Sequence, residues 1–251
     1  MRKIVIILLF ALFALPVSAQ WRYVNMEAMG GLGYAEDDLF DNDPVAVWQG
    51  GVSFECFFRS YSYFVQHLFF RVGIGAASRG SQYSFHSDYA LSDHTGRYSA
   101  VSATVPVRMG LRFDNISGNT FFSLWAGPAL SVGFAGSMHD EQWSQRYDSE
   151  VVNYERDYSG NELYGPLRRL DVSVGVGVTF GWKRLGVNVM WDTGLLPLRS
   201  EADVMHFVDV EPGEQPSGRF ATNRALLLGL MVSMDVKGKK RSFPAGGNVF
   251  M

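Results

Sequence analysis

The sequence predicts an all-β fold, an eight-stranded antiparallel transmembrane β-barrel with short periplasmic turns and long extracellular loops. Three observations carry this prediction: apolar and polar residues alternate with a period of two, the polar face holds small and charged residues, and long and short connections alternate. Residues 102–113 show the first observation. Their odd positions are all apolar, whereas the even ones include Arg108 and Arg112.

The same alternation recurs along the chain. Five further clear runs cover residues 68–76, 121–134, 171–182, 185–192 and 226–236, and two noisier ones cover residues 23–34 and 46–58. Successive side chains of a strand point to opposite faces, so a period of two indicates strands. The mature chain is therefore predicted to contain eight of them.

The composition of the two faces predicts which one meets lipid. A soluble sandwich would also alternate, but its outer face would carry bulky polar residues rather than Gly, Ser and Ala, which suit a narrow lumen. Turning the polar face outward would cost about 2–4 kcal/mol for each arginine near the middle of the bilayer. The apolar face is therefore predicted to face lipid. The predicted polar cluster of the lumen consists of Glu27, Glu55, Arg71, Arg108, Arg112, Asp171 and Asp192.

Connection lengths support the same arrangement. The gaps between runs are about 10, 8, 20, 6, 32, 2 and 22 residues, so long and short connections alternate. Aromatic residues near the strand ends predict two interfacial belts. One contains Phe58, Phe70, Phe113, Phe122, Phe180 and Trp182, and the other Tyr34, Trp48, Phe134 and Trp191. Pro106 and Pro128 cannot donate to a ladder, so a bulge or local break is expected at each.

The first nineteen residues predict export. Arg2 and Lys3 precede an apolar run over residues 4–15, and small residues follow before Gln20, as in a secretory signal peptide. The predicted organisation is a signal peptide over residues 1–19, a barrel over 20–236 and a periplasmic basic tail over 237–251. The tail is expected to be solvated, with contact to anionic lipid or a periplasmic partner as the alternative. The predicted location is the bacterial outer membrane.

Several segments resemble the PorT-like outer-membrane β-barrel family in their order and spacing. They are VSATVPVRMGLRF, with a proline in the strand, FFSLWAGPALSVGF, with its Gly-Pro pair, and RLDVSVGVGVTFGWKRLGVNVMWDTGL. The resemblance covers about residues 21–236. It implies a small barrel, a link of some members to protein secretion machinery, and no catalytic residues. The fifteen residues after Val236 depart from the usual ending on a strand with a terminal aromatic.

The predicted function is non-enzymatic. Eight strands leave a lumen that side chains can fill, so we expect a filled barrel that presents surface loops for binding or acts in secretion or in the envelope. A narrow passive pore for small ions or solutes is the alternative. The expected partners are outer-membrane lipid, lipopolysaccharide and a protein that binds through the extracellular loops or belongs to secretion machinery. A net charge of −3 gives no sign of nucleic-acid binding, and the single cysteine, Cys56, excludes an internal disulfide.

No cofactor, metal or catalytic site is predicted, although three kinds of loop residue have chemical potential. Carboxylates at residues 36–45 could bind Ca²⁺ but lack the spacing of the helix–loop–helix motif, so solvated charge is favoured. Aromatic residues in the longest loop could anchor an interface or pack into strand extensions. The pairs of histidine and aspartate with hydrolase potential are His86 with Asp88, Asp93 with His94, and His139 with Asp140.

Overall fold

The structure, a computed structural model, describes residues 19–36, 41–58, 65, 67–87, 92–115, 119–145, 151–159, 167–198 and 222–236. Ten strands lie in these ranges. They are β1 (Ala19–Glu36), β2 (Asp41–Asp43), β3 (Val45–Phe58), β4 (Leu68–Ser87), β5 (Ser92–Asp114), β6 (Thr120–Gln145), β7 (Val151–Ser159), β8 (Leu170–Trp182), β9 (Leu185–Gly194) and β10 (Thr222–Asp235). Within these ranges, no helix has the length and hydropathy needed to cross a membrane.

Eight of the strands, all except β2 and β7, close into an antiparallel barrel, which confirms the predicted fold class. The order around the barrel is β1, β10, β9, β8, β6, β5, β4 and β3, and β3 pairs with β1 again. Each strand has two neighbours, so every backbone ladder is satisfied without an open edge. The last residues of β3, β5 and β8 and the first residues of β4, β6 and β9 lie at one end of the barrel, here called the turn end, and the opposite end is called the loop end.

Side chains of the barrel follow the alternation of the sequence. On β8, Val176 and Phe180 point outward and are 47% and 61% exposed, whereas Ser173 and Thr179 point inward and are fully buried. Large exposed apolar residues occur on all eight barrel strands. This part of the barrel, with apolar side chains outside and polar ones inside, is called the membrane band.

Two segments expected to be loops are largely strand. Residues 78–87 and 92–97 continue β4 and β5, and residues 137–145 and 151–159 belong to β6 and β7. Together with β2 they form a sheet beyond the membrane band, here called the extension, in which β2, β4, β5, β6 and β7 pair in that order. The period of two persists there, but apolar side chains point inward and polar ones outward. A search for strands with outward-facing apolar residues therefore does not recognise these segments.

A β-bulge in β6 marks the boundary between the two regions. Val101 pairs with Ala135 and Ser102 pairs with Gly133, which leaves Phe134 as one extra residue in β6. One extra residue sends the following side chains to the opposite face. As a result Met138 points inward and is 1% exposed, and its neighbours in the chain point outward.

The two prolines produce interruptions of pairing without bulges of their own. The ladder between β4 and β5 stops at Val72–Val107 and resumes in the same register at Gly75–Thr104, beside Pro106. The ladder between β5 and β6 skips the positions opposite Gly127 and Pro128 in the same way. The expected local break is therefore confirmed at both prolines.

The expected aromatic belts are present in part, because Tyr34, Phe58 and Trp191 are only half-buried and Trp191 pairs with Val176 in the middle of β8. Phe113, Phe122, Phe180 and Trp182 are exposed at the turn end, and Trp48 and Phe134 are exposed at the loop end. Phe70 is only 4% exposed, so its assignment to the belt was wrong. It lies beside the buried Cys56, whose thiol donates to the Phe70 carbonyl at 3.4 Å.

Several predictions fall on residues outside the described ranges. They include the signal peptide up to residue 18, the acidic residues 37–40, and the basic tail from Lys237 onward. β1 begins at Ala19, the last residue of the predicted signal peptide. The side chains of His86, Asp93 and His94 are likewise outside what the structure describes, as is Asp88.

Candidate functional site in the lumen and at the loop end

Glu55 of β3 is the centre of an ion-pair network near the turn end. Its carboxylate is fully buried. Arg71 of β4 donates from Nε to Oε2 at 2.9 Å, and its Nη2 contacts the same oxygen. Arg112 of β5 donates to Oε1 at 3.0 Å, and Asn25 donates to Oε2 at 3.3 Å. Both carboxylate oxygens are paired, which is the condition under which a buried charge is tolerated.

Glu27 of β1 extends this network toward the middle of the barrel. Arg108 of β5 donates from Nη1 to both carboxylate oxygens of Glu27, at 2.9 Å and 2.7 Å. Arg71 donates to Glu27 at 3.3 Å and so bridges the two glutamates. Asp114 lies 3.0 Å from Arg112 Nε and supplies a third carboxylate. Three arginines therefore face three carboxylates, and this lower network, which joins β1, β3, β4 and β5, is electrically balanced.

Aromatic rings complete the filling of this part of the lumen. Arg108 lies 4.2 Å from the centroid of Trp125, and Arg112 lies 3.8 Å from that of Phe121, both rings belonging to β6. These distances suit cation–π contact. The two rings lie against Gly177 and Gly181 of β8, where an added Cβ would collide with them. The small residues of β8 therefore make room for the rings of its neighbour.

Arg79 of β4 forms a second, upper network across the lumen. Its Nη1 makes an ion pair with Asp171 of β8, and its Nη2 lies 3.5 Å from Asp192 of β9. The same Nη2 donates to the hydroxyls of Ser131 and Ser173, each at 3.3 Å. Since β4 lies across the barrel from β8 and β9, the side chain of Arg79 reaches across the lumen.

The seven residues singled out from the sequence therefore divide between two networks. Five of them form the lower network, and Asp171 and Asp192 belong to the upper one. Their partner Arg79 was not predicted, although it has the same parity as Arg71, because the clear alternation ends at residue 76. A cavity of about 30 Å³, enough for about two water molecules, separates the networks and is bordered by Arg79 and Arg108.

A small apolar core closes the lumen at the loop end. Tyr83, Tyr98 and Met138 point inward from the extension and are at most 3% exposed. Leu167 and Leu198, which lie in connections at the loop end, pack against them. The Tyr98 hydroxyl donates to Asn223 Oδ1 at 2.8 Å and so ties this loop-end core to β10.

The outer face of the extension is polar. One cross-strand row runs over all five of its strands, and it consists of Asp43, Gln82, Arg97, His139 and Asp157. His139 Nδ1 lies 2.7 Å from Asp157, and its Nε2 lies 2.9 Å from Glu141. Hydrogen bonds to these two carboxylates raise the pKa of His139 to about 9. His139 is therefore charged at neutral pH and donates to both carboxylates.

This arrangement of His139 does not resemble a hydrolase site. A general base needs a ring nitrogen directed at a nucleophile, whereas both ring nitrogens of His139 face carboxylates. In the part of the chain that the structure describes, no group of three or more His, Cys, Asp or Glu side chains is placed to hold a metal ion. Asp41 and Asp43 of the acidic segment lie in β2, paired with β4.

Comparisons with known proteins give few matches. No family model and no curated protein matches the chain. Among solved structures, the chain is similar to Ail, the attachment invasion locus protein of Yersinia pestis, determined alone and in complex with the heparin analogue sucrose octasulfate. The complex aligns with a TM-score of 0.34 and the other structure with 0.32; in both, sequence identity is 9%, and the alignment covers 86% of this chain and 100% of Ail.

Proposed function

We propose that this chain is a non-enzymatic outer-membrane protein that uses a filled barrel to hold its extension and loops outside the cell, where they bind a partner. The filled lumen carries this proposal. The lower network, the upper network and the loop-end core follow one another along the barrel axis, and each joins several strands. A barrel so filled serves better as a support than as a channel.

The extension supports the binding role. It is a paired sheet with its own apolar core, so its polar outer face is held in a fixed shape. Binding surfaces held on rigid elements lose less conformational entropy when they bind. The partner classes that we propose are a protein, including a component of a secretion system as in the PorT-like family, and lipopolysaccharide.

The orientation and the chain organisation are part of the same proposal. Residues 1–19 act as the export signal, residues 20–236 form the barrel, and the tail over residues 237–251 stays in the periplasm. Short connections in outer-membrane barrels face the periplasm, so the turn end lies there and the extension lies outside the cell.

A narrow passive pore is the second candidate, and one observation favours it. The cavity between the two networks is bordered by Arg79, Arg108 and Asp192, which would line a path for ions if the networks opened. The planar-bilayer conductance of the purified chain separates the two functions. A filled barrel gives no stable conductance, whereas a pore conducts and changes its ion selectivity in the Arg108→Ala variant.

The binding role is tested with a photo-reactive residue on the outer face of the extension. We expect a photo-cross-linker at Gln82 or Thr95 to give a defined adduct in intact cells, because both side chains are exposed. The same cross-linker at Asn115, at the turn end, is the matched control. Equal adducts at all three positions, or none at Gln82 and Thr95, would contradict the proposal.

A further inference from the structure

The lipid-facing surface carries an apolar groove. Its volume is about 570 Å³, and it is shallow and open on its outer side. The groove crosses one row of paired residues on five neighbouring strands. This row consists of Met109, Ala126, Val176, Trp191 and Leu226.

The sequence of β6 and β8 explains why a groove forms on a surface that should be convex. Ala126 and Val176 are small and lie between the long side chains of Met109 and Trp191. Beneath them Gly177 has no side chain, and the wall of the barrel rests directly on Trp125. The groove therefore lies over Ala126 and Val176, whose side chains are shorter than those on either side.

Two adjacent cations lie at the loop end of the same strand. Arg168 and Arg169 directly precede β8, and both side chains are exposed. Their backbone is fixed, because Arg168 N donates to Leu198 O at 2.7 Å and Gly133 N donates to Arg169 O at 2.8 Å. Exposed apolar side chains surround the pair on the membrane side, namely Phe134, Leu170 and Leu195.

The spacing of the groove and the arginines matches one leaflet. Arg169 precedes Val176 by seven residues, about 23 Å along a strand. With the usual strand tilt of about 40°, the vertical separation is about 18 Å, similar to half of a bilayer that includes its headgroups. Val176 is the middle residue of β8, so the groove lies at acyl-chain depth and the arginines at headgroup level.

We infer that the groove and the arginine pair together bind one lipid of the outer leaflet, the phosphorylated lipid A part of lipopolysaccharide. Guanidinium groups pair with phosphate through two parallel hydrogen bonds, and the groove takes an acyl chain. Lipid A is the phosphorylated lipid on the loop side of the membrane. This inference rests on the proposed orientation in the outer membrane.

The test measures lipid retention by the full-length mature chain in detergent, by native mass spectrometry with lipid A or with phosphatidylglycerol of matched chain length. We expect the wild type to retain one lipid A and to prefer it to phosphatidylglycerol. Each cation near a lipid surface contributes about 1 kcal/mol, so the double variant Arg168→Ala/Arg169→Ala should bind about thirtyfold more weakly. Ala126→Trp, which fills the groove, should also lose retention.

Matched variants separate a specific site from a general effect. Arg97→Ala removes a cation from the extension, and Ala28→Trp adds bulk to the outward face of β1, which lies across the barrel from β6, the strand of Ala126. Both should retain lipid A like the wild type. Ala126→Leu provides a milder substitution if the tryptophan variant fails to fold.

Three results would overturn the inference: unchanged retention in both site variants, equal binding of phosphatidylglycerol, or a dimer that is lost in Ala126→Trp. Fractionation of cells distinguishes a failure of the proposed location. A chain found in the outer membrane that does not retain lipid A refutes only the lipid site, whereas a chain found elsewhere refutes the proposed function.

Discussion

The membrane band and the extension share three strands, β4, β5 and β6, but their faces have opposite polarity. In the band, Val105 and Ile74 face outward while Arg108 and Arg71 are buried inside. A few residues further along, tyrosines and Met138 are buried inside, while Arg97 and His139 lie on the outer face. The solvent outside each region explains the exchange, because lipid favours apolar side chains and water favours polar ones.

The comparison shows how the strands of one chain pass from a lipid environment to an aqueous one. β5 keeps the same parity throughout, so its sequence itself exchanges polar and apolar positions near residue 101. β6 uses the extra residue Phe134, and from there the opposite set of positions faces inward. Two neighbouring strands therefore reach the same inversion by different means, one through composition and one through a bulge.

The largest expected effect tests the charged interior of the band. Glu55→Ala leaves Arg71 and Arg112 buried without their carboxylate, and loss of one member of a buried ion pair costs about 3–5 kcal/mol. The free energy of unfolding, from denaturant titration in detergent or lipid, should fall by that amount. Glu141→Ala on the outer face of the extension is the control. A Glu55 variant as stable as this control would show that the lower network contributes little.

The second prediction concerns the apolar interior of the extension. Met138→Ala removes a fully buried side chain from the loop-end core and should cost about 2–5 kcal/mol. Amide hydrogen exchange should accelerate in β7 and in the loop-end parts of β5 and β6, while amides of the band stay protected. Ser137→Ala, one residue away on the outer face, should change nothing. Equal exchange in both variants would mean that the bulge does not set which side chain is buried.

The third prediction compares the two outer faces directly. Val176→Arg places a charge at the middle of the band and should destabilise the barrel by about 2–4 kcal/mol. Gln82→Arg makes the same change on the outer face of the extension, where the effect should stay within about 0.5 kcal/mol. Unfolding titrations in lipid vesicles measure both. Similar losses for the two variants would remove the distinction between the regions.

The smallest effect concerns the exposed group around His139. Its pKa is raised from 6.5 to about 9 in the folded chain, so its stabilising contribution is complete below pH 6.5 and disappears as the pH rises through 9. An NMR titration of labelled histidine should give a midpoint near 9. Asp157→Asn removes the larger cause and should bring the midpoint closer to 6.5. A wild-type midpoint near 6.5 would show that the carboxylates do not hold the imidazolium.

The alternation of the sequence was sufficient to predict the eight barrel strands, because every strand obeys one rule in which apolar residues meet lipid. The same rule made the extension look like loops. Once a strand leaves the membrane its apolar face turns inward, and a search for outward apolar residues no longer recognises it. The bulge at Phe134 was not predictable, since the residue types around it do not indicate that one residue of β6 lacks a partner in β5.

The site was predicted by residue type better than by pairing. Parity indicated which charged residues face the lumen, but the partners depend on strand stagger and on which walls lie opposite each other. Arg79 shows this limit. Its parity was readable, yet only the closed barrel brings it from β4 to Asp171 and Asp192. The groove was not predictable either, because it depends on which outward side chains the strand register brings into one row.

The pairing of β1 with β10 along fourteen positions has a consequence for biosynthesis. These strands come from the two ends of the described chain, and until β10 has been synthesised one edge of β1 and one edge of β9 have no ladder. A shorter nascent chain therefore has unpaired backbone groups, which are unfavourable in the hydrocarbon core. The barrel can therefore close only after the last strand has been made, so closure follows synthesis of the whole described chain.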